Sequence, residues 1–271
     1  MPVLVHGRGW RMGGGMMRAL VCAIILLAFP VCAQVPPGAA AGGYTTKVWA
    51  DNFTAFDQSG DFYQTWWTGN AVILGNSLGT ATLLPFGIQL LTTSAGGWVS
   101  IFNHPPHSPS YEPGWMHGYF EAYIRLKSGG NILNNWAAFW LEAKPLFELT
   151  DGYPGTQTWC EIDIFEAMPN HNQLDATEHW WTWPHGGTIT GQYNSNSVVS
   201  SLKSDPLDGN YHTYGLLWQP GKVTWYFDNS PVLSFNSYPG CDTQPMMLIL
   251  SAQSRGTDQQ ETDVGWVSVW Q

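Results

Sequence analysis

From Met116 to Lys127 the chain alternates at every second residue. Gly118, Phe120, Ala122, Ile124 and Leu126 fall on one side, and Tyr119, Glu121, Tyr123, Arg125 and Lys127 on the other. A period of two sends successive side chains to opposite faces, so the stretch predicts a half-buried β-strand. Shorter apolar runs at 48–53, 71–74, 80–84, 88–92 and 98–103 are bounded by Gly, Pro, Asn or Ser and predict further strands. Later runs at 135–141, 159–166, 176–183, 211–218, 222–227, 232–235, 246–252 and 264–270 continue the series. Pro220-Gly221 and Asp228-Asn229 are turn signals between three of them. No helical period of useful length occurs after residue 33, and no repeat of 20–50 residues is found. About fifteen strands predict an all-β sandwich of two packed antiparallel sheets.

Composition agrees with that reading. Charged residues make up 11% and aromatic residues 14%, and the chain has 16 Trp, 30 Gly and 18 Pro. Many strands joined by tight turns use such a mixture, whereas helical bundles and disordered chains do not.

One predicted strand carries charge where an apolar run is expected. In Trp159-Cys-Glu-Ile-Asp-Ile-Phe-Glu166 three carboxylates lie within six residues. If Ile162 and Ile164 face the core, Glu161 and Asp163 share the opposite face with Trp159. Glu166 has the wrong parity for that face, and one extra residue in a β-bulge near Ile164-Phe165 would bring it there. Crowded carboxylates oppose one another's ionisation, a cost that points to a use. Two of them about 5–5.5 Å apart suit retaining glycoside hydrolysis, one as nucleophile and one as acid then base. A third between them would hold a proton and tune both. A calcium site and a solvated acidic edge are the alternatives from spacing alone.

The N-terminal segment has the order of a secretory signal. Arg8, Arg11 and Arg18 precede an apolar run, Ala19 to Phe29, then Pro30-Val-Cys-Ala33. The expected organisation is a signal peptide over 1–33, a flexible leader over 34–43 and one catalytic β-sandwich domain over 44–271, secreted or periplasmic. The Gly- and Ala-rich stretch after Val35-Pro-Pro suggests the leader. Removing 1–33 deletes three arginines and no acids from a net charge of −10, leaving 7 Lys/Arg against 20 Asp/Glu and a charge of −13. That balance argues against nucleic acid or an anionic membrane as a partner, and against a sulfated or uronic polymer as substrate. A monomer is expected. Cys160 and Cys241 remain after signal removal, and their pairing is left open by the sequence.

The strand motifs resemble glycoside hydrolase family 16. Glu161-Ile-Asp163-Ile-Phe-Glu166 resembles the bulged E-x-D-x-x-E signature of the family's laminarinase-like, agarase and carrageenase branches. Gly118-Tyr-Phe-Glu-Ala122, Trp136-Ala-Ala-Phe-Trp-Leu141, His212-Thr-Tyr-Gly-Leu-Leu-Trp218 and Val223-Thr-Trp-Tyr-Phe-Asp228 resemble further family strands, in the same order. The resemblance implies a concanavalin A-like jelly-roll fold and a glycan cleft on the concave sheet. It makes Glu161 the nucleophile, Glu166 the general acid/base and Asp163 their assistant. It also implies cleavage of a polysaccharide or oligosaccharide, with no cofactor required. Trp136, Trp140, Trp159 and Trp181 are candidates to stack on sugar rings, and His179 to hydrogen-bond beside the acids. Many members hold a structural calcium through a C-terminal acid, but Gly265 stands at that place, with Asp263 nearby, so calcium is unsupported. The charge balance favours a neutral β-glucan. Galactan hydrolysis, transglycosylation and a non-catalytic carbohydrate-binding sandwich are the alternatives.

Overall fold

The computed structural model describes residues 34–53, 67–69, 79–92, 98–102, 114–128, 135–143, 157–166, 173–183, 190–200, 202–254 and 260–271. The segment 1–33 and the strand expected at 71–74 lie outside them. In chain order the described strands are β1 (Lys47–Asp51), β2 (Trp67–Gly69), β3 (Gly79–Leu83), β4 (Ile88–Thr92), β5 (Trp98–Phe102), β6 (Gly118–Ser128), β7 (Asn135–Ala143) and β8 (Gln157–Glu166). They continue as β9 (Gln173–Trp183), β10 (Thr190–Ser200), β11 (Tyr211–Gln219), β12 (Lys222–Phe227), β13 (Ser230–Phe235), β14 (Met246–Ser254) and β15 (Gln260–Trp270).

They form two antiparallel sheets. One runs β13-β12-β11-β6-β15-β4-β3, with β1 also paired to β15, and the other runs β10-β9-β8-β7-β14-β5-β2. The inner faces meet in a single core. Phe120, Ile124, Leu216, Trp218 and Trp225 come from the first sheet, and Phe139, Ile162, Phe165, Leu248 and Leu250 from the second. The alternation in β6 places Phe120, Ala122 and Ile124 in that core as expected. Cys160 also faces the core, bonded to Cys241, which ties β8 to a short 3₁₀ turn ahead of β14.

The leader departs from expectation. Pro37–Gly42 form an α-helix, α1, instead of a flexible tether. Six residues cannot hold a helix alone. This one is held by packing: Ala39 is buried with Tyr119, Leu217, Tyr226 and Trp270 on the outer face of the first sheet. A methyl on Gly38 would lie 2.1 Å from the Tyr119 ring, so the small residues that resemble a linker are what let the helix approach. Pro at the helix start and Gly43 in the left-handed region at its end (φ 79°) are its sequence marks. This packing also explains why Tyr119, on the polar side of the β6 alternation, is only 1% exposed.

Strand β10 is absent from the apolar pattern, because Thr190–Ser200 is largely polar and does not alternate. It is nevertheless paired with β9 from Thr190↔Thr182 to Ser200↔Gln173, at the edge of the second sheet.

Candidate active site

The acidic strand β8 lies between β7 and β9, and both ladders slip at the same place. Against β7, Phe139 pairs with Phe165 while Trp140 pairs with Asp163, leaving Ile164 without a counterpart. Against β9, Asp163 pairs with Thr177 and Glu166 with Asp175, so two β8 residues span one β9 position. Ile164 and Phe165 are both buried in the core. The bulge thereby turns Glu166 onto the face that carries Glu161 and Asp163.

A bulge disturbs the ladder around it, and a buried carbonyl needs a donor. Trp225 supplies one from the opposite sheet: its indole N–H donates to the Asp163 carbonyl at 2.8 Å, wholly within the core. Trp225→Phe should therefore cost about 2 kcal/mol for an unsatisfied acceptor. It should also loosen the aim of Glu166. We expect a lower unfolding midpoint together with turnover reduced about tenfold or more at temperatures where the variant is folded, a factor worth about 1.4 kcal/mol. Unchanged turnover in the folded variant would separate this bond from the site.

The acids form a buried cluster. The side chains of Glu161 and Asp163 are hydrogen-bonded to each other. His179 Nε2 lies 3.2 Å from Asp163 Oδ2, off line for a hydrogen bond, and that oxygen has no hydrogen-bond partner. The Trp136 indole donates to Glu166 Oε1 at 2.8 Å. Burial, followed by the charges of Asp163 and Glu166, holds the Glu161 carboxyl well above the usual range. Asp163 is likewise raised, by burial first and then by Glu166, Glu142 and Asp175. Burial lowers the pKa of His179 although Glu166 and Asp175 pull the other way, so its imidazole is neutral at pH 7.

The structure brings Glu161, Asp163, Glu166, His179 and Trp136 together. Trp140 stands on the same face of β7, half-buried against Met247 and Ile249, and donates to Ser251 Oγ at 3.2 Å. Trp159 and Trp181 are partners in the β8–β9 ladder, and their side chains lie outside the described part of the structure. Two further acids reach this face. Glu142 pairs with Glu161 across the β7–β8 ladder, and Asp175 with Glu166 across β8–β9. Both carried a usable signal, since Glu142 has the parity of Trp136 and Trp140, and Asp175 that of His179.

Glu161, Asp163 and His179 present ligand atoms within 4.8 Å of one another. The Glu161–Asp163 hydrogen bond already uses that proximity, so the group is read as one that shares protons. The calcium place suggested by the resemblance does not fit an ion. Asp263 is fully buried and engaged by Arg125 and Lys127, and Gln89 donates to it as well. At Gly265 even a methyl would lie 2.7 Å from the Phe86 ring.

The family model described as glycosyl hydrolases family 16 matches residues 108–268. The chain belongs to glycosyl hydrolase family 16. Within the family it is 28% identical over 152 residues to "Beta-porphyranase B" of Phocaeicola plebeius, covering 49% of this chain and 43% of that one. It is 27% identical over 197 residues to "Endo-1,3-1,4-beta-glycanase EglC" of Rhizobium meliloti, covering 68% and 37%. The chain thus spans less than half the length of these curated relatives. Its fold matches that of an endo-β-galactosidase from Clostridium perfringens with a TM-score of 0.59 at 18% identity, over 84% of this chain and 62% of that one.

Proposed function

We propose that the chain is a retaining, endo-acting glycoside hydrolase that cleaves a neutral β-glucan, β-1,3-linked or mixed β-1,3/1,4-linked, by double displacement. Glu161 attacks the anomeric carbon while Glu166 gives its proton to the departing glycosidic oxygen. Glu166, now ionised, takes a proton from water, and the hydroxide so formed releases the sugar from Glu161 with net retention. Asp163 shares a proton with Glu161 and adjusts it through the two steps. Neutral His179 and the Trp136 and Trp140 rings serve the sugar as hydrogen-bonding and stacking groups. The observation that carries this reading is the bulge at Ile164, which gives the cleft face two separate carboxylates with a third between them.

The preference for a neutral glucan rests on the excess of 20 Asp/Glu over 10 Lys/Arg. The similarity to a β-porphyranase favours a galactan as the second reading. Export to the periplasm or medium is proposed with it, from the basic, apolar and small-residue order of 1–33.

Incubation with laminarin, lichenan, agarose, carrageenan and xyloglucan, with products sized and sequenced, tests the proposal. Short oligosaccharides released from laminarin or lichenan alone are expected. Cleavage confined to agarose or carrageenan would move the assignment to a galactan. Chains that only lengthen by exchange would make it a transglycosylase, and binding without any product would make it a carbohydrate-binding sandwich.

A further inference from the structure

The proposed reaction uses three of the acids on this face and leaves Glu142 unexplained. Glu142 is only 3% exposed although it stands on the acid-bearing face of β7 with Trp140, and not on the core face with Phe139 and Leu141. Its neighbours in the sheet are Met247 on the β14 side and Glu161 on the β8 side. Among the described residues no lysine or arginine is paired with it. Among the described residues the titratable groups beside it on the neighbouring strands are Glu161 opposite and Asp163 diagonal on β8, with His179 beyond Glu161 on β9. Met247 and Ile249 bring no charge from β14.

A buried carboxyl without a cation, set against a second carboxyl, keeps its proton while its neighbour ionises. The direction for Glu142 agrees, with burial raising it well above the usual range and the charge of Glu161 adding to the effect. A protonated carboxyl is a hydrogen-bond donor, and the ladder register sets it beside the group that must be an anion to act as nucleophile.

We propose that Glu142 is a positioning residue, a neutral acid beside Glu161 on the cleft face that donates a hydrogen bond to it, fixes its place and favours its ionised form against the burial that opposes it. The proposal rests on the assignment of Glu161 as nucleophile. A donor at this position stabilises the Glu161 anion directly, against the opposing effect of Asp163 and Glu166 on its other side. It also gives burial of a fourth carboxyl a reason that packing does not.

Carboxyl ¹³C NMR titration of Glu161, its resonance assigned with a Glu161→Gln variant, tests this in the parent, Glu142→Gln and Glu142→Leu. The amide keeps a donor, so Glu142→Gln should leave the Glu161 midpoint within about 0.3 pH unit. Leucine removes the donor and should raise it by about one unit, a tenfold loss of ionisation. The acid limb of kcat/KM should move with it. A Glu142→Gln midpoint lowered by about a unit or more would show that Glu142 is an anion in the parent and overturn the proposal. Equal midpoints in the glutamine and leucine variants would reduce it to a packing residue. Should the leucine variant fail to fold by near-ultraviolet circular dichroism, Glu142→Met takes its place. The NMR readout needs no turnover, so a parent inert on every glycan would sink the proposed function and leave this result readable.

Discussion

Glu161→Gln and Glu166→Gln are expected to fold as the parent does and to lose turnover of polysaccharide by at least about 10³-fold, the scale on which nucleophile and acid–base groups act. Folding should survive because each change keeps the shape of the side chain and removes an acid from a cluster whose members oppose one another's ionisation. The unfolding midpoint at pH 7 should stay level or rise. The two variants should differ on an aryl glycoside with a good leaving group, which needs little protonation to depart. Glu166→Gln then recovers formation of the glycosyl intermediate and shows a burst of released phenol, whereas Glu161→Gln, lacking the nucleophile, shows none. Asp163→Asn should fall between the parent and these two, since it keeps a hydrogen-bonding group beside Glu161 but cannot share a proton as an acid. Ordinary turnover in a folded Glu161→Gln or Glu166→Gln would end the double-displacement reading, and a burst in Glu161→Gln would exchange the two roles.

That site was legible because its chemistry conflicts with its surroundings. Carboxylates at 161, 163 and 166 in an apolar strand required a reason, and parity alone demanded the bulge that the ladders display at Ile164. Long strands with a clean alternation, such as β6, were readable for the same reason, since the core selects one face. Helix α1 was not readable. Ala and Gly have no pattern of their own, and the helix exists only because Tyr119 and Leu217 offer a surface that a small-residue segment can approach. Strand β10 was hidden differently: an edge strand is specified by the register of its single neighbour, and Thr190–Ser200 has almost no apolar positions to report it. Glu142 lay within the pattern but was lost beside Trp140 because one acid at the end of an aromatic strand reads as solvated. Its burial comes from what packs around it, which no local sequence contains.

Burial of acids also fixes how stability responds to pH, and Glu121 gives the clearest case. It lies beside the helix-covered Tyr119 on the outer face of the first sheet, far in sequence from the acid cluster and 4% exposed. Ser268 Oγ donates to its Oε1 at 2.9 Å, and the Trp270 indole donates to that hydroxyl in turn. Burial outweighs these bonds and the field of Lys47, and pushes the Glu121 carboxyl up to about 7 from an ordinary value of 4.5. Between those two values the folded protein holds a proton that the unfolded chain has released, so stability falls as pH rises through the window. Below pH 4.5 the group is neutral in both states and costs nothing. Above pH 7 the folded state carries a buried anion at a cost of about 3 kcal/mol, from 1.36 kcal/mol per unit over the shift. Glu121→Gln keeps the acceptor for Ser268 and deletes the ionisation. The variant should therefore match the parent in denaturant unfolding at pH 4.5 and exceed it by about 3 kcal/mol at pH 8. The other raised acids, Glu142, Glu161 and Asp163, impose the same trend on both proteins and cancel in the difference. A constant offset between the two from pH 4.5 to 8 would mean that Glu121 ionises freely where it stands, and that the face beneath α1 is open to water.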